Sequence, residues 1–339
     1  MKIGLTLGAF GGLALAGALF IYYGFAPIVA ACAATGWGGL TAICAVHLVS
    51  VVLCALAWRL LLVPAPAGAF SALLWARWLR DSTGNLLAIL PAAGELIAAR
   101  ELTFHGIARS LAGATTIIDL TIEMLSQLIF TLLGLALLLV QRPGFDSAWW
   151  TAVALVAAAT AVVGFIAAQR HGLFRLLQKL ATRLGLRQPF QGLVDAARID
   201  AAIQEIYQQR LRVAGSLVLH LAAWVAGAAE TWLALRLLGY PLSFADALLM
   251  ESLVFALRTA AFAIPSGLGV QEGGYLMLGA LLGLRPDVSL ALALLKRARE
   301  IIFAVPAVLI WQAIESRRLW LDLGSWRQPE SAEVGEPRS

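Results

Sequence analysis

Leu125-Ser-Gln-Leu-Ile-Phe-Thr-Leu-Leu-Gly-Leu-Ala-Leu-Leu-Leu-Val140 runs without a charged residue or a proline. Strands of a membrane barrel alternate between lipid and lumen, so a run this continuously apolar excludes a β-barrel. It requires a helix that satisfies its own backbone polar groups. Towards the N-terminus the apolar pattern extends back to Ala112, which places Asp119 and Glu123 inside the same helix. Four residues apart, the two carboxylates project from one face. A charge at bilayer depth costs several kcal/mol on most scales, so this face must meet a cavity or cationic partners and not lipid tails.

The rest of the chain has the same character. Of its 339 residues 60% are apolar and 13% charged, against roughly 45–50% and about 25% in soluble domains, which excludes a soluble globular protein. Low-charge stretches at 5–25, 40–63, 112–140, 149–168, 213–238, 245–264 and 288–311 predict spanning helices. The expected fold class is an all-α integral membrane bundle of about seven to eight transmembrane helices. Two further stretches, 71–106 and 263–286, are apolar but interrupted by proline, glycine and charge, and read as re-entrant or broken helical segments. A single transmembrane domain over 1–320 and a disordered polar tail over 321–339 complete the expected organisation.

The net charge of +5 does not indicate a nucleic-acid partner, because much of the excess lies between 169 and 212, where Arg170, Arg175, Lys179 and Arg183 interleave with leucines. That pattern predicts a cytoplasmic amphipathic segment lying on anionic lipid headgroups. Its placement leaves Lys2 and the N-terminus in the cytoplasm and assigns Arg77, Arg80, Arg100 and Arg109 to the same side. The three cysteines lack a CxxC spacing and read as small core residues.

An internal repeat is suggested by spacing. Glu95, Gly106 and Glu123 are 11 and 17 positions apart, and so are Glu272, Gly283 and Glu300. Each trio follows a proline, Pro91 or Pro265, and Lys296 holds the offset in the second trio that Asp119 holds in the first.

Two constellations could carry chemistry. The first comprises Gly94 and Glu95, then Arg100, Asp119 and Glu123. The second comprises Arg258, the run Pro265-Ser-Gly-Leu-Gly-Val-Gln-Glu-Gly-Gly274 and the run Lys296-Arg-Ala-Arg-Glu300. Gly267, Gly269, Gly273 and Gly274 allow a sharp turn or a close backbone approach. A helix restarting beside Gln271 and Glu272 would turn free N–H groups towards an anionic or hydroxylated headgroup. Lys296 and Arg299 share a face, Glu300 stands beside Lys296, and Arg297 must point elsewhere. The expected pairing is Asp119 or Glu123 with Lys296 or Arg299. Open alternatives are an ion-pair network that only fixes helix register, and basic residues that snorkel at a helix end.

Catalytic and metal signatures are lacking in the sequence. Ser266 is not in a GxSxG order, His47 and His220 have no HxxxH partner and read as core histidines, and there is no GxxxxGK[ST] phosphate loop. No cofactor, metal or catalytic set is expected.

The runs from Gly94 to Arg100, the Asp119/Glu123 helix, Pro265 to Gly274 and Leu295 to Glu300 resemble a flippase-like superfamily that includes the membrane portion of lysylphosphatidylglycerol synthases. Within it the chain looks most like the HpnL branch associated with bacterial hopanoid biosynthesis. The resemblance covers most of residues 70–315. It departs from the family pattern at Pro91-Ala-Ala-Gly94, which is poorer in glycine, and the chain ends soon after its last helix, without the room an aminoacyl-transferase domain needs. The resemblance implies a bacterial inner-membrane protein that translocates a hopanoid or related amphiphile, in contact with membrane lipids and with hopanoid-pathway proteins. Two rival readings are an enzyme that modifies a lipid headgroup and a scaffold for lipid-biosynthesis enzymes.

Overall fold

The computed structural model describes residues 25–86, 93–141, 196–261 and 269–325, together with Ala167. The expected spans at 5–25 and 149–168, the loop with Pro265 and Gly267, and the tail beyond Ser325 lie outside the described residues.

Among the described residues the chain is helical throughout. Its elements are α1 (Phe25–Leu61), α2 (Ala69–Leu86), α3 (Ala93–Phe104), α4 (Arg109–Gln141), α5 (Ala196–Gln208), α6 (Arg210–Leu237), α7 (Phe244–Ala260), α8 (Val270–Leu281) and α9 (Pro286–Ser325). Among the described residues three segments are long and apolar enough to cross a membrane: Thr35–Leu61 of α1, α4 and α6. The first begins at a break in α1, where Gly36 leaves the helical region with φ 69° and ψ 165°.

α1 and α6 pack against each other extensively, α4 lies against α6 and α7, and α9 runs past α8, α2 and α1. Where α4 meets α7, the two helices approach through small residues, a mode of contact that membrane bundles favour because lipid tails solvate apolar side chains as well as protein does. A Cβ at Gly134 would lie 1.7 Å from Ser252 Oγ and 2.8 Å from Ser252 Cβ. Gly134→Ala is therefore expected to destabilise the fold by about 1–3 kcal/mol. Adding Ser252→Gly should restore most of the loss, as read by thermal melting in detergent.

Within the described part of the 169–212 stretch, α5 turns Ile199, Ile203 and Ile206 against Ile118 and Ile122 of α4 and Leu61 of α1. Ile203 is fully buried. The apolar face expected to lie on headgroups is in this part packed on protein, because the isoleucines recur at helical spacing and meet an equally apolar stripe of α4.

α9 extends well past the 288–311 expected from hydropathy, continuing through Pro306. A mid-helix proline removes one donor from the ladder, and close to it Trp78 of α2 donates from Nε1 to the Phe303 carbonyl at 2.9 Å.

The two trios picked out by spacing occupy closely matching structures. α3 and α8 each span 12 residues, and both end in the same turn. Ile107 N–H bonds Leu102 O and Gly106 N–H bonds Thr103 O, while Leu284 N–H bonds Gly279 O and Gly283 N–H bonds Ala280 O. These are two Schellman motifs, each with a left-handed glycine just past the helix end, Gly106 at φ 81° and Gly283 at φ 82°. The following helices then start at Arg109 and Pro286.

A charged cavity inside the bundle

A cavity of about 350 Å³ lies within the bundle, and every helix except α5 contributes to its wall. α1 supplies His47 and Cys54, α2 supplies Arg77 and Arg80, and α6 supplies His220 and Glu230. The second constellation contributes Arg258, Gln271, Lys296, Arg299 and Glu300, and the first contributes Glu95 and Glu123.

At one end the carboxylates of α4 meet the arginines of α2. Arg77 donates from Nη2 to Glu123 Oε1 at 2.6 Å and from Nη1 to Glu123 Oε2 at 2.9 Å. Arg80 donates from Nη1 to Asp119 Oδ2 at 2.7 Å, and from Nη2 to Glu123 Oε2. Arg77 Nε also bonds Asp81, and His220 Nε2 lies 3.0 Å from Asp119 Oδ1. Asp119 is fully buried and the two arginines nearly so. Glu95 stands apart, more than a quarter exposed and 3.8 Å from Arg80 Nε.

Cations and anions exchange helices at the other end. Lys296 Nζ of α9 sits 3.0 Å from Glu251 Oε1 of α7 and 3.2 Å from Glu230 Oε1 of α6. Arg299 Nε bonds the same Glu230 oxygen at 3.1 Å, while His47 Nδ1 lies 3.4 Å from its other oxygen. Glu251 is completed by hydroxyl donors, Tyr275 at 2.9 Å and Thr231 at 2.5 Å.

These pairs correct the expected one. Asp119 and Glu123 do not meet Lys296 or Arg299; each cluster is neutralised by neighbours within its own end of the cavity. Arg77 and Arg80 belong to the buried network. His220 lies within hydrogen-bond distance of Asp119 in that network, and His47 stands 3.4 Å from Glu230 in the other cluster. Arg77, Arg80, Glu230, Glu251 and Tyr275 are among the wall residues absent from the sequence-derived set. Glu230 and Glu251 carried a usable signal, since each is a carboxylate inside an apolar helix, where an ion is costly without a partner.

Other expected site residues hold the frame. Gly94 lets α3 close on α2, because a Cβ there would lie 2.6 Å from the Arg80 carbonyl oxygen. Gly274 packs on Val254 and Leu257 of α7, while Gly273 faces open space. Glu272 accepts from the Gly269 N–H at 2.8 Å, capping α8, and from Arg297 Nε at 3.0 Å. Arg297 also bonds Glu300 at 2.9 Å, and Glu300 accepts from Arg258 at 3.0 Å. Glu272 and Arg297 thus join α8 to α9 without reaching the cavity wall. Arg100 lies away from the cavity: it bonds Glu315, while Arg318 bonds Glu101, two clamps between α3 and the far part of α9.

A ring nitrogen of His220, Cys54 Sγ and a Glu123 oxygen lie within 4.8 Å of one another, a grouping of metal-ligand types. The guanidinium groups of Arg77 and Arg80 already occupy both oxygens of Glu123, and two fixed cations there oppose a third.

A polytopic bundle with a buried, charge-lined cavity is the setting in which the comparison with known families is decisive. A family model described as the lysylphosphatidylglycerol synthase TM region matches residues 5–307. The chain belongs to this family. No curated protein and no solved structure matches it. Membership in the lysylphosphatidylglycerol synthase membrane-region family makes this a membrane protein with a lipid-related function. The match extends over both charge clusters, including Asp119, Glu123, Glu230, Glu251 and Lys296.

Proposed function

We propose that this protein is a flippase-like transporter of an amphiphilic lipid, a hopanoid or a relative of one, as the HpnL resemblance implies. The observation that carries the reading is the cavity of about 350 Å³ between helices of a lipid-related membrane family, lined by buried ions. A headgroup enters such a space while its tail stays among apolar residues, and the ion-paired helices around it are the parts that rearrange. Lysyl transfer is not part of the proposal, because the resemblance is to the membrane region alone.

The same reading places the chain in a bacterial inner membrane with its N-terminus in the cytoplasm, about seven to eight crossings and one transmembrane domain over 1–320. Hopanoid-pathway proteins are its proposed partners. In it α3 and α8 are re-entrant. A 12-residue helix rises only about 18 Å, short of the roughly 30 Å hydrocarbon core, and each returns through its glycine turn into a long helix. The substrate-contacting residues are those on the cavity wall.

Reconstitution into vesicles tests the reading against its rivals. Lipid that crosses the bilayer in a protein-dependent way, with its mass unchanged, is the expected result. A changed mass would establish the headgroup-modifying enzyme instead. Absence of both, with folded protein, would leave the scaffold.

A further inference from the structure

The wall of the cavity also discriminates between classes of headgroup. Among the described residues, each of the five arginine and lysine side chains on it, Arg77, Arg80, Arg258, Lys296 and Arg299, is already paired with a carboxylate. A phosphate that drew one of them away from its carboxylate would leave that carboxylate buried without its partner. On the usual cost of breaking a buried pair, that is a loss of about a hundredfold or more in affinity.

Among the described residues two groups on the wall keep polar atoms without a partner. Gln271 is 1% exposed, on the cavity wall, and neither its Oε1 nor its Nε2 has a hydrogen-bond partner. His220, also 1% exposed on the same wall, has no hydrogen-bond partner at Nδ1; the thiol of Cys54, at best a weak one, is close to its ring. Buried groups of this kind are nearly always satisfied, because an orphaned amide forfeits its hydration with nothing in return. A carboxamide offers an acceptor and a donor side by side. Two neighbouring hydroxyls match that pair, one donating to Oε1 while the other accepts from Nε2.

We propose that the cavity takes a neutral, hydroxyl-rich headgroup, held through the Gln271 carboxamide, and disfavours phosphate headgroups. The proposal rests on the lipid-transport reading and narrows it to a substrate class.

The test uses the full chain, purified in an amine-oxide detergent so that no glycoside competes, and placed in phosphatidylcholine nanodiscs. Retained guest lipid is measured by native mass spectrometry with equal small amounts of monoglucosyldiacylglycerol or phosphatidic acid of the same chains. The glucolipid should be held at least about tenfold more tightly than phosphatidic acid, and free glucose should not displace it. Gln271→Leu should weaken glucolipid binding by about tenfold or more while melting no lower than the wild type, since it removes an orphaned polar group. Equal or tighter retention of phosphatidic acid overturns the headgroup inference and leaves the lipid reading standing, and so does glucolipid binding that Gln271→Leu does not change. Retention of neither guest removes both. Displacement by free glucose would make the site one for a soluble polyol. The wild-type comparison decides the matter even where the variant does not fold.

Discussion

Glu123→Gln is expected to lower the stability of the folded protein by about 3–5 kcal/mol, read as a large fall in melting temperature in detergent or nanodiscs. The reason lies in what remains. Glu123 accepts from two guanidinium groups, Arg77 and Arg80, which are 6% and 5% exposed. Removing its charge leaves two buried cations to share Asp119 and Asp81. A carboxamide keeps the shape, so the loss measures charge and not packing. Glu95→Gln is the control, a carboxylate more than a quarter exposed and 3.8 Å from its nearest cation, and its effect should not exceed about 1 kcal/mol. Equal melting of the two variants would show that the α2–α4 network does not hold the bundle.

Lys296→Met is the second large effect, expected to be of similar size, about 3–5 kcal/mol. It strips Glu230 and Glu251 of their shared ammonium and leaves Glu251 with only the hydroxyls of Tyr275 and Thr231. Here a second substitution separates structure from function. Lys296→Met with Glu251→Gln removes one charge of each sign, so most of the stability should return, to within about 1–2 kcal/mol of the wild type. If the Lys296 triad takes part in moving lipid, the double variant stays folded and inactive in the vesicle assay. Normal lipid movement by the double variant would make the triad a structural element.

Sequence alone revealed the helical membrane class, the spans now seen in the 35–61 part of α1, in α4 and in α6, and the paired trios around Gly106 and Gly283. Composition and spacing suffice for these, because a bilayer leaves a chain few choices. It also revealed that Asp119 and Glu123 must be compensated, though not by which cations. Arg77 and Arg80 sit beside Trp75 and Trp78, and arginine among tryptophans reads as an interfacial belt. Their i, i+3 spacing, the same as that of Lys296 and Arg299, was the feature that could have placed them on one face towards α4. Charge complementarity sets the sign of a partner, and only the packing of α2 on α3 and α9 sets which partner arrives.

The matched turns at Gly106 and Gly283 have a last consequence. The two trios share a helix length and a terminal turn but carry aspartate in one and lysine in the other, so the charge clusters beside the cavity are chemically unlike. Were they alike, a guest could lodge in two interchangeable poses. With carboxylates braced by arginines on one wall and a lysine shared between glutamates on the other, the two poses differ in energy. The difference in charge between the two trios thus gives the cavity a front and a back.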